Sequence, residues 1–469
     1  MMFKTYRCIL FCSFLWSSIF IQNTFSQYKW EATGIWQARG YGWVMELNAE
    51  TLKIYDITKM SCTASQEYPT TMLSKDLTVV DNVLTLSRGV NRYTFDRLSV
   101  LPDLCTKRLS KKERKDPIFN FEVLWNSFND QYAYFEERGV DWQKSYEKYR
   151  KQISDKTSDA ELLVICDQML EDLNDGHVDI EASEKLMKKA ALIGKWDTRP
   201  DPDISGARRA IVTKYLKDFK THNLSRTIWG KINDRVGYVQ INSMGAQGEY
   251  GITPDMDSGK ANKLYRTAIA KSEDPMIDEI NGMNATMKKV LIDLKGTEDL
   301  ILDLRFNGGG EDMVGLAVLS YFIDSTRTIF SKKERIGKGF GPQKYTVLKP
   351  AGIKYKGKLH ILQSHWSASA TEILLLASLS LENVRRIGSP SEGIFSDILD
   401  KKLPNGWEYG LSNQVYQDNE GISYETKGIP VHIDLDYPRD TYEFVAKLKK
   451  EVKTGGDPAI EAVLMEKRK

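Results

Sequence analysis

Three short segments, far apart in the chain, carry groups suited to attack on an electrophilic carbon. In ILQSHWSASATE (361–372) an apolar run ends in a small-residue turn, SAS, and then opens a helix. A strand-to-helix corner of that kind can present a serine hydroxyl beside backbone N–H groups that face a developing negative charge. The same residues also suit a plain helix start, because Ser369 followed by Glu372 fits a capping box. In ILDLRFNGGG (301–310) the residues Ile301 to Leu304 read as a buried strand, broken by Asn307 and three glycines before MVGLAVLSYFI resumes at helical spacing. A triple glycine is entropically costly and implies positive φ or close backbone approach. It fits a tight turn or an N–H that binds an oxyanion. A phosphate loop fits less well, because no Lys-Ser or Lys-Thr follows and GxGxxG spacing is missing. In LNDGHVDI (173–180), His177, one of only five histidines, follows Gly176 at the end of an amphipathic helical stretch. That pattern suits a helix C-cap as well as a base.

In their order along the chain, LNDGH, DLRFNGGG and SASATE, followed by a Gly-x-x-x-x-Gly stretch, resemble the tricorn-core and C-terminal-processing serine peptidases. The resemblance runs from about Asp116 to about Tyr437. It implies that Ser369 is the nucleophile, and that an N–H of the glycine run, Gly309 before Gly308, forms an oxyanion hole with that of Ala370. In the processing branch of the family a lysine follows the nucleophile, but here that place in GSPSEGIFSD (388–397) holds Ile394, which cannot accept a proton. The resemblance therefore implies the tricorn-like branch, with His177 as general base and Glu425 of YETKGIP as the acid that orients it. Asp175 is the alternative orienting acid. Peptide hydrolysis through an acyl-enzyme on Ser369 would follow, with a polypeptide as substrate and neither metal nor organic cofactor.

Two positions depart from that pattern. Gly176 stands where the tricorn-like branch often has a serine, so a relay through that hydroxyl is missing. Val431 and His432 replace a Pro-Asp pair after Glu425, and His432 reads as a strand surface residue. Some relatives of this fold bind lipophilic ligands without proteolysis. A non-proteolytic binding protein for such ligands or peptides is thus the alternative reading.

Around these segments the pattern predicts a modular chain. Residues 1–26 read as a signal peptide: a basic start, the apolar CILFCSFLWSSIFI, and small residues suited to cleavage after Ser26. A secreted or periplasmic location follows, without stable membrane insertion after cleavage. Residues 27–105 are rich in Trp, Tyr, Val and Thr and read as a small antiparallel β module. Residues 106–116 form a basic linker. Residues 117–184 place apolar and aromatic side chains three and four apart, as in a helical bundle that ends at the histidine segment. Residues 185–440 form the α/β core, opening on a polar, turn-rich stretch to 227 that is too short for the PDZ domain of many relatives. Residues 441–469 read as a C-terminal helical tail. The family resemblance adds a crotonase-like superhelical arrangement for the core.

Composition excludes little else. Sixty-six basic against sixty-four acidic residues, net +2, favours neither nucleic acid nor an anionic membrane as partner. Beyond the leader, Cys62 and Cys105 suit one disulfide, whereas Cys166 lies at an apolar helical position. So few cysteines and histidines argue against a structural zinc site. Assembly into a homo-oligomer would suit an enzyme that restricts access to its site.

Overall fold

The structure, a computed structural model, describes residues 31–194 and 199–466; the leader expected at 1–26 lies outside them. The chain forms two compact units whose boundaries cross the sequence. Among the described residues, the first takes 31–194 with Lys332–Lys344 and Ser396–Val415, and the second takes Arg199–Ser331, Tyr345–Phe395 and 416–466. An uninterrupted core from 185 to 440 is thereby corrected, because 332–344 and 396–415 fold with the N-terminal unit. Their apolar residues account for this: Leu399, Leu403, Trp407, Tyr409 and Leu411 are buried in that unit's core.

In the first unit, seven antiparallel strands run in the order Cys62–Pro69, Thr51–Ile57, Trp43–Leu47, Gly34–Ala38, Asn91–Leu98, Val83–Arg88, Leu77–Val80. Trp36, Met45, Leu47, Leu52, Leu84 and Phe95 turn inward. Asp81 and Asn82, both at positive φ, close the tight hairpin between the last two strands. Cys62 and Cys105 are disulfide-bonded, and Cys166 is buried and free. The expected basic linker contains a helix, Lys111–Lys115, because Ser110 and Glu113 form a complete capping box.

Helices Pro117–Gln131, Trp142–Arg150 and Asp159–Glu171 follow, capped by Asp116, Asp141 and Ser158. Their aromatic stripe, Phe121, Phe128, Trp142 and Tyr149, joins the same core as the sheet. A three-stranded antiparallel sheet, Ile398–Lys402, Glu408–Ser412 and Asp179–Glu181, seats the chain just past His177. The LPNGW segment makes the hairpin turn, with Gly406 at φ +91°.

The second unit is built on a seven-stranded sheet in the order Ile433–Asp434, Val384–Gly388, Lys358–Gln363, Asp299–Asp303, Val236–Ile241, Thr227–Lys231, Lys220–His222. The first five strands are mutually parallel, and the last two pair antiparallel at one edge. Asp299–Asp303 is buried along its whole length, as a central parallel strand covered on both faces should be. Helices Ile204–Tyr215, Thr441–Thr454 and Pro458–Leu464 cover Tyr238, Ile301, Leu362 and Ile387.

Two expectations change here. The polar stretch 185–227 holds the amphipathic helix Ile204–Tyr215, with Ala207, Ile211 and Val212 buried and Asp203 as its cap. The C-terminal segment is part of the core, with Phe444, Leu448 and Ile460 buried. Buried Arg305 fixes it further, binding Asp303 (2.6 Å) and Asp457 (2.7 Å).

Candidate active site

The strand Lys358–Gln363 and the helix Ala370–Ser378 meet at a turn tied down from below. Ser364 Oγ donates to the Arg305 carbonyl (2.7 Å) and Ser367 Oγ to the Leu304 carbonyl (2.8 Å). The Ala368 N–H donates to the Asn307 carbonyl (3.2 Å). The serine turn is thus anchored on the loop that leaves the strand Asp299–Asp303. Asn307 is itself held, its Nδ2 donating to the Ile241 carbonyl at 3.0 Å.

Ser369 sits at the corner with φ +56° and ψ −128°, a conformation that non-glycine residues avoid. Its side chain makes no capping hydrogen bond. The capping-box reading is therefore overturned: the Glu372 carboxylate turns away and accepts from Ser391 Oγ (2.6 Å), the Gly393 N–H (2.8 Å) and the Ile394 N–H (2.8 Å). The Ser369 hydroxyl is left without the cap's geometry, at the N-terminus of a nine-residue helix.

The glycine run lies against this corner. Gly309, at φ +104°, approaches so closely that a Cβ there would stand 2.7 Å from Ser369 Cβ and 2.9 Å from the Ala370 nitrogen. Both neighbours are anchored, so the space is open to glycine alone. The Gly309 N–H donates to Asn307 Oδ1 (3.0 Å) and its carbonyl accepts from the Met244 N–H (2.8 Å). The N–H groups of Gly308 and Ala370, by contrast, have no hydrogen-bond acceptor among the described residues. A side chain at Gly309 would push the glycine run away from the Ser369 corner, so Gly309→Ala is expected to lower kcat by about a hundredfold, the scale of a misplacement of about 1 Å. It should also destabilise the fold by about 1–3 kcal/mol, from positive φ and overlap. Steady-state kinetics and a thermal melt check this, and a variant with wild-type kcat would contradict it.

His177 belongs to the first unit. The helix before it ends at Glu171, and the left-handed residue is Asn174 (φ +49°), not Gly176, so the expected glycine C-cap is not formed. The imidazole is buried beside the Ser396 backbone, and Nδ1 has no partner among the described residues. Burial holds its pKa below the ordinary imidazole value, against the opposing pull of Asp175 and Asp397. Asp175 accepts from Tyr132 Oη (2.9 Å), faces Arg138 (3.6 Å), and takes the backbone N–H of His177 at 3.0 Å. It fixes the histidine's main chain. Asp397, bound by the buried Lys332 ammonium at 3.2 Å, is a charge near His177 that the sequence did not single out.

Glu425 belongs to the second unit and is buried, with Oε2 accepting the Phe395 N–H at 3.0 Å. His432 is exposed and occupied: its Nδ1 accepts the Arg386 N–H at 2.9 Å and its own N–H donates to the Arg386 carbonyl. The second unit therefore brings together Ser369, Ala370 and Gly309, and separately seats Glu425 on the turn at Phe395. His177 and Asp175 are placed by the helices of the first unit.

Comparison with known proteins identifies the family. Residues 235–435 match peptidase family S41, and residues 114–171 match the tricorn protease C1 domain. A solved candidate peptidase from Parabacteroides merdae superposes with TM-score 0.56 at 21% identity, over 74% of this chain and 96% of its own. Mature CPAF complexed with lactacystin gives TM-score 0.50 at 11% identity, over 74% and 99% of the two chains. At such identities these structures speak to the fold alone. No curated relative matches the sequence. The S41 match takes in the glycine run, the serine turn and the Glu425 segment, and the C1 match takes in the helices that lead to His177: the chain carries a peptidase family S41 region preceded by a tricorn-like C1 region, and is a serine-type peptidase.

Proposed function

We propose that the chain is a secreted or periplasmic endopeptidase that cleaves polypeptides through an acyl-enzyme on Ser369. The observation that carries this reading is the corner itself: a strained, uncapped serine at a helix N-terminus, with the open N–H of Ala370 beside it and the glycine run packed against it.

Neutral His177 takes the Ser369 proton as Oγ attacks the scissile carbonyl, and returns it to the leaving amine. A water then repeats the sequence on the ester. Glu425 orients the imidazole and stabilises its protonated form, while Asp175 holds the histidine's backbone. The oxyanion is met by the N–H of Ala370 and of the glycine run. Gly308 is favoured as the second donor, since the Gly309 N–H is already directed at Asn307. Such a donor contributes roughly 3–4 kcal/mol to the transition state. A crotonase-like superhelical core is part of the same proposal, supported by the parallel sheet flanked by helices.

The test is a pH profile of kcat/KM with an unfolded protein substrate, in the presence of a metal chelator. The base must be neutral, so activity is present above the imidazole pKa and is lost as pH falls through it. Burial moves that limb below the ordinary value of about 6.5. An activity rising steeply between pH 8 and 10 would point to a lysine base and overturn the assignment of His177.

A further inference from the structure

One buried carboxylate in the second unit has no part in the mechanism above. Glu372 follows Ser369 by three residues on the same helix and is completely buried. Its two oxygens collect three donors from a single turn: Ser391 Oγ and the Gly393 N–H on Oε1, and the Ile394 N–H on Oε2. That turn is in turn bonded to the segment bearing Glu425. The Thr426 N–H donates to the Gly393 carbonyl (2.8 Å), the Ile429 N–H to Ser391 Oγ (2.7 Å), and the Phe395 N–H to Glu425 Oε2 (3.0 Å). Gly393, at φ +93°, lies so close to Thr426 that a Cβ would meet its carbonyl carbon at 2.8 Å. The serine helix, the turn 391–395 and the Glu425 segment are thus joined through one carboxylate.

We propose that Glu372 is a positioning residue, whose ionised carboxylate holds the turn 391–395 and thereby sets Glu425 relative to the Ser369 helix. The inference rests on the roles given above to Ser369 and Glu425. Its chemistry follows from the donor count. Three donors converge on two oxygens, and such charge-assisted bonds are strongest to the ionised form, which only accepts. A proton on the carboxyl would remove the charge that strengthens all three bonds and weaken Oε2 as the acceptor of the Ile394 N–H, loosening the turn. Moving a catalytic group by about 1 Å can cost about a hundredfold in rate.

The carboxylate is also placed to respond to pH. Burial raises its pKa, outweighing the three donors, and the charge facing it, Glu392, raises it further, to about 7. The ionised, working form is therefore present above about 7 and is lost as pH falls through it, above the imidazole limb.

The experiment compares kcat, KM and pH profiles of wild type, Ser369→Ala, Glu372→Gln and Ser391→Ala, with thermal melts. Glu372→Gln should lower kcat about tenfold to a hundredfold with KM little changed, and should remove the limb near neutrality while the imidazole limb remains. Ser391→Ala keeps the carboxylate but removes one donor to its ionised form, so the limb should move to higher pH. This second variant decides the matter if Glu372→Gln does not fold. A Glu372→Gln enzyme with wild-type kcat and limb, or a Ser391→Ala limb that stays in place, overturns the proposal. Activity that survives in Ser369→Ala would instead overturn the underlying assignment of the nucleophile.

Discussion

Ser369→Ala is expected to lower kcat on an unfolded protein substrate by about ten-thousandfold or more, with KM nearly unchanged. The oxyanion donors and binding surfaces remain in that variant, so some residual catalysis over water is expected. The fold should be retained, because the Ser369 side chain does not cap its helix. A companion variant separates chemistry from strain. Ser369 sits at φ +56° and ψ −128°, where a side chain costs about 1–3 kcal/mol and glycine costs little. Ser369→Gly should therefore be as inactive as Ser369→Ala yet melt at a higher temperature. Equal activity in wild type and Ser369→Ala would remove Ser369 from the mechanism.

His177→Ala carries the second largest expected effect, a loss of the same order in kcat, about ten-thousandfold. A serine hydroxyl is a weak nucleophile without a base, and the His177 imidazole has a buried Nδ1 with no partner among the described residues. Because base and nucleophile act as a unit, the double variant Ser369→Ala/His177→Ala should be no more than a few-fold worse than either alone. Multiplicative losses would show that the two residues work independently. The stability consequence is separate: removing a buried ring leaves a cavity, so the melt of His177→Ala should fall while that of Ser369→Ala does not.

The parts of the site most legible in the sequence are those where backbone chemistry dictates residue type. Three consecutive glycines announced a close approach, and Gly309 packs against Ser369 as such a run requires. The buried strand before them was equally plain, since a central parallel strand reads as a continuous apolar run. What was hidden depends on contacts distant in sequence. Glu372 has the spacing of a capping box, and nothing local shows that Ser391, Gly393 and Ile394 outbid the helix N-terminus for its carboxylate. Asp397 stands in GIFSD with no signal beyond being an acid, and its nearness to His177 arises because Ser396–Val415 folds with the first unit. The unit boundaries were hidden for the same reason: apolar residues such as Leu399 and Trp407 reveal burial, not which core they enter.

The central claim, an acyl-enzyme on Ser369 activated by His177, is tested most directly by covalent trapping. The intact wild-type enzyme would be treated with a fluorophosphonate, which phosphorylates activated serines, and the adduct mapped by peptide mass spectrometry. One adduct on Ser369, formed in parallel with loss of peptidase activity and slowed at least a hundredfold in His177→Ala, is the predicted result. A wild-type enzyme that goes on cutting protein while unlabelled at Ser369, or that is labelled and inactivated at another residue, would contradict it.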